Sequence, residues 1–314
     1  FLGITDGATQ MLMDFCLVGE KGKKGTYNLK QKQLDARFKK ERNEDSHTAK
    51  RIKEYDESKI KLMIEMIKRL ISRKIHFDYI LADSWFACAE VIRFVTSRHV
   101  KCHYLGMIKM GKTKYHYNRK DYTAKALVAL FDHPKKGRKF SRNLGCYYVT
   151  VDVEFAGRKV RLFFTKRNKK SEWNALITTN TELEFKEAYR IYSMRWSLEV
   201  VFKDSKGNLG LGKYQMRNFA SQIACTAITA MQYNILATAR RFSSYETIGG
   251  LFREVTRNSA ELTITERIWG MIVDIVSEIA QCFEIEDEKI FEALINRSDK
   301  LQHFIQIYEL KIAS

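Results

Sequence analysis

The chain has little proline and no closely spaced cysteines. Pro134 is the single proline among 314 residues, and it lies in a turn within a basic loop. The six cysteines are far apart and none forms a Cys-x-x-Cys pair, which disfavours both a zinc site and a disulfide framework. The seven histidines are equally scattered, so we assign none of them a catalytic role.

Long apolar runs and acidic charge are also scarce. No stretch is long and uninterrupted enough to span a bilayer, and the N-terminus lacks the charged start and cleavage site of a signal peptide. We therefore expect a soluble, cytoplasmic protein that needs no membrane. Only 37 Asp and Glu oppose 55 Lys and Arg, giving a net charge of +18. Such an excess of cations indicates a polyanionic partner.

Four polar residues share a regular spacing late in the chain. Tyr192, Arg195, Glu199 and Lys206 are three, four and seven residues apart, and on one continuous helix these steps fall on one face. A carboxylate between two cations and a tyrosine suits a surface that binds a metal ion and phosphates together. The alternative is an amphipathic surface helix with ordinary salt bridges. The adjacent stripe is apolar and is predicted to pack the helix down: Ile191, Met194, Leu198, Val201.

A second acid follows an apolar segment. Residues Phe77–Ala82 predict a short buried strand that ends at Asp83, followed by a helix from about Ala87 to Val95. Because ligand sites gather at the carboxyl ends of strands in open α/β sheets, Asp83 is where a catalytic acid is expected. An aspartate in this position is also a common helix N-cap. Asp78 lies within the predicted strand and on its other face, so we interpret it as strand-entry polarity.

These segments together resemble a known enzyme family. The spacing of the four polar residues resembles the Y-x(2)-R-x(3)-E-x(6)-K motif of bacterial insertion-sequence DDE transposases, in the family named after insertion sequence four. The Asp-Ser-Trp-Phe run that begins at Asp83 resembles the second catalytic aspartate of that family and its neighbours. The resemblance implies that Asp83 and Glu199 are catalytic residues and metal ligands. It also implies that Tyr192, Arg195 and Lys206 contact phosphates of the transposon-end DNA.

Tryptophans provide further candidates for DNA contacts. In relatives that cut through a DNA hairpin, a tryptophan placed like Trp173 stacks on a base flipped from the end of the element, and aromatic faces suit an unstacked base. The alternative for Trp173 is a core residue on a strand. We interpret Trp196 as a packing residue, whereas Trp85 fits either role.

The resemblance also implies an architecture. We expect an α/β fold with an RNase H-like (retroviral integrase-like) core, a β-rich insertion and a helical C-terminal region. Residues 1–110 would form the first part of the core, 111–182 the insertion, 183–242 the second part of the core with the Glu199 helix, and 243–314 the C-terminal helices.

A third acid is missing from this assignment. A two-metal phosphoryl-transfer site holds its ions about 4 Å apart and normally needs three acids. The resemblance places the first acid on the first strand, yet Phe1–Gly7 resembles the second strand and Met11–Val18 the third. The absence of an initiator methionine fits an N-terminally truncated fragment that is inactive by itself. Asp6 is a candidate substitute, but its Asp-Gly setting first predicts a turn.

Hydrophobic periodicity predicts the other elements. They are a helix at Ser58–Arg73, strands at Lys101–Lys109, Cys146–Phe155, Lys159–Lys166 and Trp173–Thr179, a helix at Phe219–Phe242 and further helices from Tyr245. The helix at Phe219–Phe242 has a wide apolar face that is expected to pack under the core, formed by Ile223, Ala227, Ile228, Met231, Ile235 and Leu236. The basic tract Lys21–Lys53 is either solvated or a DNA-facing arm. A polar stretch with Lys213, Gln215 and Arg217 is a further candidate DNA contact.

The resemblance implies DNA cleavage and strand transfer at insertion-sequence ends. Two Mg²⁺ ions, or Mn²⁺, would be the cofactors, and the partners would be double-stranded DNA of the terminal repeats and target, with a homodimer in the synaptic complex and a nucleoid-associated location. One alternative is a transposase remnant that binds DNA without cutting it. Another is a different RNase H-like nuclease, such as a resolvase, which would share the acids but gives no reason for the four-residue motif.

Overall fold

The computed structural model describes residues 1–19, 43–216, 218–242, 244–261 and 264–283. The chain divides into two compact units, Phe1–Ile248 and Gly249–Ser314. Part of the basic tract predicted from Lys21, together with Arg217 of the candidate DNA-contacting stretch, lies outside the described residues. Within the described residues, no helix has both the length and the apolar character that a membrane crossing needs.

The chain folds into a mixed α/β arrangement. Its elements are β1 (Leu2–Thr5), β2 (Gln10–Asp14), α1 (His47–Lys53), α2 (Lys59–Ser72), β3 (Tyr79–Ala82), α3 (Ala89–Val95), β4 (His103–Ile108), β5 (Lys114–Tyr117), β6 (Lys120–Thr123), α4 (Ala124–Phe131), β7 (Lys139–Ser141), β8 (Cys146–Phe155), β9 (Arg158–Lys166), β10 (Asn174–Thr178), α5 (Phe185–Ser193), α6 (Trp196–Gly207), α7 (Phe219–Arg241), α8 (Ile248–Glu261) and α9 (Ile264–Cys282). Helices α8 and α9 confirm the helical character predicted after Tyr245.

The strands form two sheets. β1 and β2 make an antiparallel hairpin, and the other eight strands form one mixed sheet in the order β3-β4-β10-β9-β8-β5-β6, with β7 beside β8. β3 and β4 are parallel, with Ala82 opposite Gly106, whereas the other described pairs are antiparallel. The mixed α/β class expected from the sequence is therefore confirmed.

Helix α2 forms where its periodicity predicts. The hydroxyl of Ser58 accepts a hydrogen bond from the Lys61 amide and caps the first turn, and α2 ends before Arg73. Its apolar positions recur at helical spacing and are buried, because they cover one face of the sheet. The buried residues of this face are Leu62, Met63, Ile64, Met66, Ile67 and Leu70.

The strand predicted before Asp83 is confirmed as β3, with a shorter start. Ile80 and Ala82 are buried and alternate with half-buried residues, because β3 lies at the end of the sheet. Asp78 lies directly before β3, so the prediction that it sits within the strand is wrong. Its carbonyl oxygen accepts a hydrogen bond from the His103 amide at 2.8 Å, which ties the starts of the two parallel strands together.

The segment predicted as a β-rich insertion continues the sheet of β3 and β4. β8 has the predicted bounds, and β9 and β10 lie within a residue of theirs. β10 pairs with β4 on one side and with β9 on the other, so the strands of this segment and the strand that leads to Asp83 belong to one sheet. Helix α4 interrupts this segment and was not predicted.

Helix α7 is confirmed, but the prediction of which face it buries is only partly right. Ile223 is buried as expected, whereas Ile228, Met231 and Ile235 are exposed. A polar contact accounts for the difference, because the Asn234 side chain accepts the Leu12 amide proton at 2.7 Å and donates to the Leu12 carbonyl at 2.8 Å. These bonds orient α7 against the open edge of β2, which otherwise leaves its backbone groups unpaired.

Candidate active site at the ends of β3 and β4

The segment with the four spaced polar residues forms two helices, so the prediction of one continuous helix is wrong. Met194 and Arg195 keep right-handed helical dihedrals but separate α5 from α6. Their amides bond three residues back, to Ile191 at 3.1 Å and Tyr192 at 3.0 Å, which tightens the turn. The Ser197 hydroxyl also donates to the Met194 carbonyl at 2.7 Å, occupying an oxygen at this junction.

Three of the four polar residues remain together across this junction. Nη1 of Arg195 donates to Oε1 of Glu199 at 3.2 Å, and the same guanidinium lies 5.9 Å from the centre of the Tyr192 ring. Glu199 is exposed in the first turn of α6, where the helix dipole favours a carboxylate. Lys206 lies in the last turn of α6, exposed, with its ammonium 5.8 Å from the Phe202 ring.

Asp83 is an exposed residue in the turn after β3. Its Oδ1 accepts the Trp85 amide at 2.8 Å, and its carbonyl accepts the Phe86 amide at 3.2 Å. Helix α3 begins later and has Cys88 at its N-cap, so the alternative that Asp83 caps this helix is wrong. The turn fixes the carboxylate at the carboxyl end of β3.

Tyr192 is half-buried beside the Arg195–Glu199 pair. Its ring lies 5.9 Å from the Arg195 guanidinium and packs against the apolar cluster that contains Leu105 of β4. Burial raises the pKa of Tyr192, the charge of Asp83 raises it further, and Arg195 opposes both. Tyr192 therefore stays protonated at neutral pH.

A cavity of about 1150 Å³ borders this cluster. Asp83 and Arg195 both line it, together with the residues of β1 and of β3. Each of these strands pairs with one neighbour only, in the part of the chain that the structure describes. The cavity thus separates two strands that each have an open edge.

The turn interpretation of Asp6 is confirmed. Oδ1 of Asp6 accepts the amides of Ala8 and Thr9 at 3.0 and 2.8 Å, and Gly7 adopts a positive φ of 92° at the hairpin tip. Oδ2 bonds Arg241 at 2.7 Å. The Thr9 amide, the Arg241 cation and the Ala8 amide together hold the pKa of Asp6 well below its ordinary value. Both of its oxygens are engaged, as in a structural carboxylate.

Trp173 is half-buried against the main core, in a polar cluster. Its Nε1 donates to Oδ2 of Asp132 at 3.3 Å, and the Lys166 ammonium lies 4.4 Å from its ring centre. Lys166 and Arg138 also bond Asp132 at 2.7 and 2.9 Å. Burial raises the pKa of Asp132, but the bonds from Lys166, Arg138 and Trp173 outweigh it and lower the pKa overall. One ring face of Trp173 is therefore occupied.

The other two tryptophans of the first unit are exposed. Trp196 is 65% exposed, so its interpretation as a packing residue is wrong. Trp85 is 58% exposed, and the ammonium of Lys109 lies 5.1 Å from its ring centre. Lys109 was not among the predicted site residues. Lys109 follows β4 and Asp83 follows β3, and because these two strands are parallel, both residues lie at their carboxyl ends.

The candidate site has the type of ligand that a divalent cation prefers, but it has too few such ligands among the described residues. Carboxylate oxygens are the donors that Mg²⁺ and Mn²⁺ prefer, and Asp83 and Glu199 supply them. Among the described residues, no group of three or more His, Cys, Asp or Glu is placed to hold a metal ion.

The fold is a mixed α/β fold, and its candidate site combines Asp83 after β3 with Tyr192 of α5 and the Arg195–Glu199 pair at the start of α6. The family described as "Transposase DDE domain" matches residues 45–235, more than half of the chain. The chain therefore belongs to this family of transposases, whose members generally use divalent metal ions. The matched span includes Asp83, Trp173 and the whole segment from Tyr192 to Lys206.

One solved structure adds a distant similarity. The chain is similar to the protein in the "Cryo-EM structure of piggyBac transposase synaptic complex with hairpin DNA (SNHP)", with 12% identity and a TM-score of 0.39. The match covers 68% of this chain and 44% of that one, so the chain spans less than half of its length. No curated protein matches the chain in sequence.

Proposed function

We propose that the chain is part of a DDE transposase of the insertion-sequence-four type, which cuts and joins DNA at the ends of its element. The carrying observation is that Asp83, at the carboxyl end of β3, lines the same cavity as Arg195, whose guanidinium donates a hydrogen bond to Glu199. The family match over the same residues supports it. An RNase H-like core, with a β-rich insertion at 111–182, is the architecture that goes with this proposal.

Asp83 and Glu199 are the proposed catalytic residues and metal ligands, for two Mg²⁺ or Mn²⁺ ions. Divalent ions bound by carboxylates supply charge stabilisation for phosphodiester attack. Arg195 has the planar fork that grips a phosphate through two parallel bonds, while Lys206 supplies a point charge. Tyr192, held protonated, donates a hydrogen bond from its hydroxyl to a phosphate oxygen. No residue has to bond covalently to DNA.

The third acid is the missing part of this proposal. A strand between β1 and β3 would find open edges on both sides and would occupy the cavity that Asp83 lines. A carboxylate on such a strand is the proposed third ligand. The resemblance to the insertion-sequence-four family assigns the first acid to the first strand of the core.

Double-stranded DNA is the proposed partner, with a homodimer joining two ends and a nucleoid-associated location. The net charge of +18 supports DNA binding. Trp173 stays a predicted base contact, which would require Lys166 to leave its ring face. A remnant that binds DNA without cutting is the second candidate, favoured by the absence of a three-acid group among the described residues.

The test is metal-dependent nicking of a plasmid that carries the DNA flanking this coding sequence. We expect nicking with Mg²⁺ by the chain or by an upstream extension of it, and none by Glu199→Gln with binding retained. Glu65→Gln is the matched control, because Glu65 is a helical glutamate paired with Lys68 at 2.8 Å on α2. Salt-sensitive binding without nicking, even by the extended chain, would favour the remnant. Equal loss of binding and nicking would make Glu199 structural.

A further inference from the structure

The carboxyl ends of β3 and β4 present an indole and an ammonium side by side. Trp85 lies in the turn after β3 and Lys109 follows β4, and the parallel register with Ala82 opposite Gly106 fixes these two ends next to each other. The Lys109 ammonium lies 5.1 Å from the Trp85 ring centre, within the range of a cation–π contact.

This indole is held in place while remaining open to solvent. The Trp85 amide donates to the Asp83 carboxylate at 2.8 Å, which anchors the turn, yet 58% of the residue is exposed. Tryptophan is costly to leave in water because it carries a large apolar surface. Exposure at a fixed backbone position beside a cation is typical of a ligand surface rather than of packing.

Trp85 and Trp173 each have a lysine ammonium near the ring, but they differ in how much of the indole is open to a ligand. At Trp173 the indole nitrogen bonds Asp132, the ring packs on the main core and Lys166 covers one face. Trp85 lies in the turn after β3 with 58% of the residue exposed, and Lys109 is itself exposed. Of these two indoles, Trp85 is therefore the more accessible to a planar ligand.

We propose that Trp85 and Lys109 form a binding site for one unstacked nucleobase and its phosphate, directly beside Asp83. The indole stacks on the base, and the ammonium turns from the ring to the phosphate. This rests on the proposed function for DNA as the ligand, and it adds a stacking site at the strand end that is separate from the predicted base contact at Trp173. Because Trp85 is two residues from Asp83, the bound base lies next to the phosphodiester that Asp83 serves.

The expected size of the effect follows from stacking. One base on an aromatic side chain contributes enough that its loss lowers affinity about tenfold. A phenyl ring keeps part of this stacking, so Trp85→Phe is expected to lose less than Trp85→Ala. Lys109→Ala removes a phosphate contact and is expected to lower the salt slope of log affinity by about one.

The experiment compares two labelled oligonucleotides of equal charge, measured by fluorescence anisotropy. One is an oligothymidylate of about 20 nucleotides, long enough for a typical single-strand site, and the other is its abasic counterpart. Trp85→Ala should weaken binding of the first about tenfold and leave the second unchanged. Trp196→Ala is the matched control, because Trp196 is similarly exposed but lies on α6.

The outcomes separate this proposal from the transposase proposal. Equal affinity of Trp85→Ala and the unchanged chain for oligothymidylate would overturn the stacking site, while salt-sensitive binding of duplex DNA would leave the transposase proposal standing. An equal tenfold loss in Trp196→Ala would also overturn the assignment to Trp85. Absence of binding to both single-stranded and duplex DNA would overturn both proposals. Circular dichroism and the Trp85→Phe variant guard against a folding effect.

Discussion

Two aspartates at strand ends, Asp14 and Asp83, have opposite surroundings. Asp14 ends β2 with its side chain 6% exposed, bonded to Arg51 and, through Oδ2, to Nε of Arg69 at 2.7 Å. Glu54 bonds the same two arginines at 3.0 Å each. Asp83 follows β3 in an exposed turn and accepts one backbone amide within its own turn. Both follow apolar residues, so sequence alone does not tell them apart.

The difference shows how burial divides structural from functional charge. A buried carboxylate without partners is strongly unfavourable, so Asp14 has two cations around it. Burial opposes the charge of Arg51, yet Asp14 and Glu54 raise the Arg51 pKa overall. A carboxylate that binds an incoming ion must instead keep oxygen lone pairs available to solvent, as Asp83 does.

The largest predicted effect on stability comes from substituting the buried carboxylate, Asp14. Asp14→Asn removes the buried carboxylate that Arg51 and Arg69 share, leaves Glu54 bonded to both, and should lower the free energy of unfolding by about 3–5 kcal/mol. Asp83→Asn should change the free energy of unfolding by less than about 0.5 kcal/mol, because the amide oxygen of Asn can still accept the hydrogen bond from the Trp85 amide. Urea unfolding of both variants measures this. Equal losses would mean that Asp83 is structural as well.

An intermediate effect is expected at Asp132, which has three partners but is less buried. Asp132→Asn should lower the free energy of unfolding by about 1.5–3 kcal/mol, because it weakens charge-assisted bonds to Lys166 and Arg138. The lowered pKa of Asp132 means that its stabilisation is full at neutral pH and is lost as pH falls through the folded-state pKa. Thermal unfolding across pH should show variant and parent converging in acid. A constant difference would contradict this assignment.

The smallest effect on stability is expected for Arg195, which pairs with Glu199 in the solvent-exposed candidate site. Arg195→Gln removes a partly exposed pair and should change the free energy of unfolding by less than about 1 kcal/mol. The same variant should reduce the salt slope of log affinity for DNA by about one. Lys61→Gln, which breaks another (i, i+4) pair at 2.8 Å, is the control for stability. Unchanged salt dependence in Arg195→Gln would remove Arg195 from the DNA surface.

Local patterns predicted much of this fold. The bounds of α2 and β8 and the place of β3 follow from spacing, capping and alternation, which depend on neighbouring residues. The misses depend on distant partners. Asn234 bonds Leu12 across 222 positions and turns α7, leaving Ile228 outside. The break between α5 and α6 is likewise invisible to a spacing rule, since Met194 and Arg195 are both helix-compatible.

The candidate site was predicted less completely than the fold. Glu199 and Asp83 stand out by residue type and spacing, and the family match covers them. The sequence alone does not identify Lys109, because its position beside Trp85 depends on the parallel pairing of β3 with β4. The exposure of Trp196 does not follow from the sequence, because the spacing of an aromatic residue on a helix does not tell whether another element packs against it.

The pairing of Arg195 with Glu199 has a thermodynamic consequence. The Arg195 guanidinium is bonded to the Glu199 carboxylate in the first turn of α6 and is also the proposed contact for a DNA phosphate, so the two anions compete for it. Any anion that takes Arg195 frees Glu199 for a cation, and any cation that takes Glu199 frees Arg195 for an anion. By linkage, each ligand then strengthens the binding of the other by the same factor.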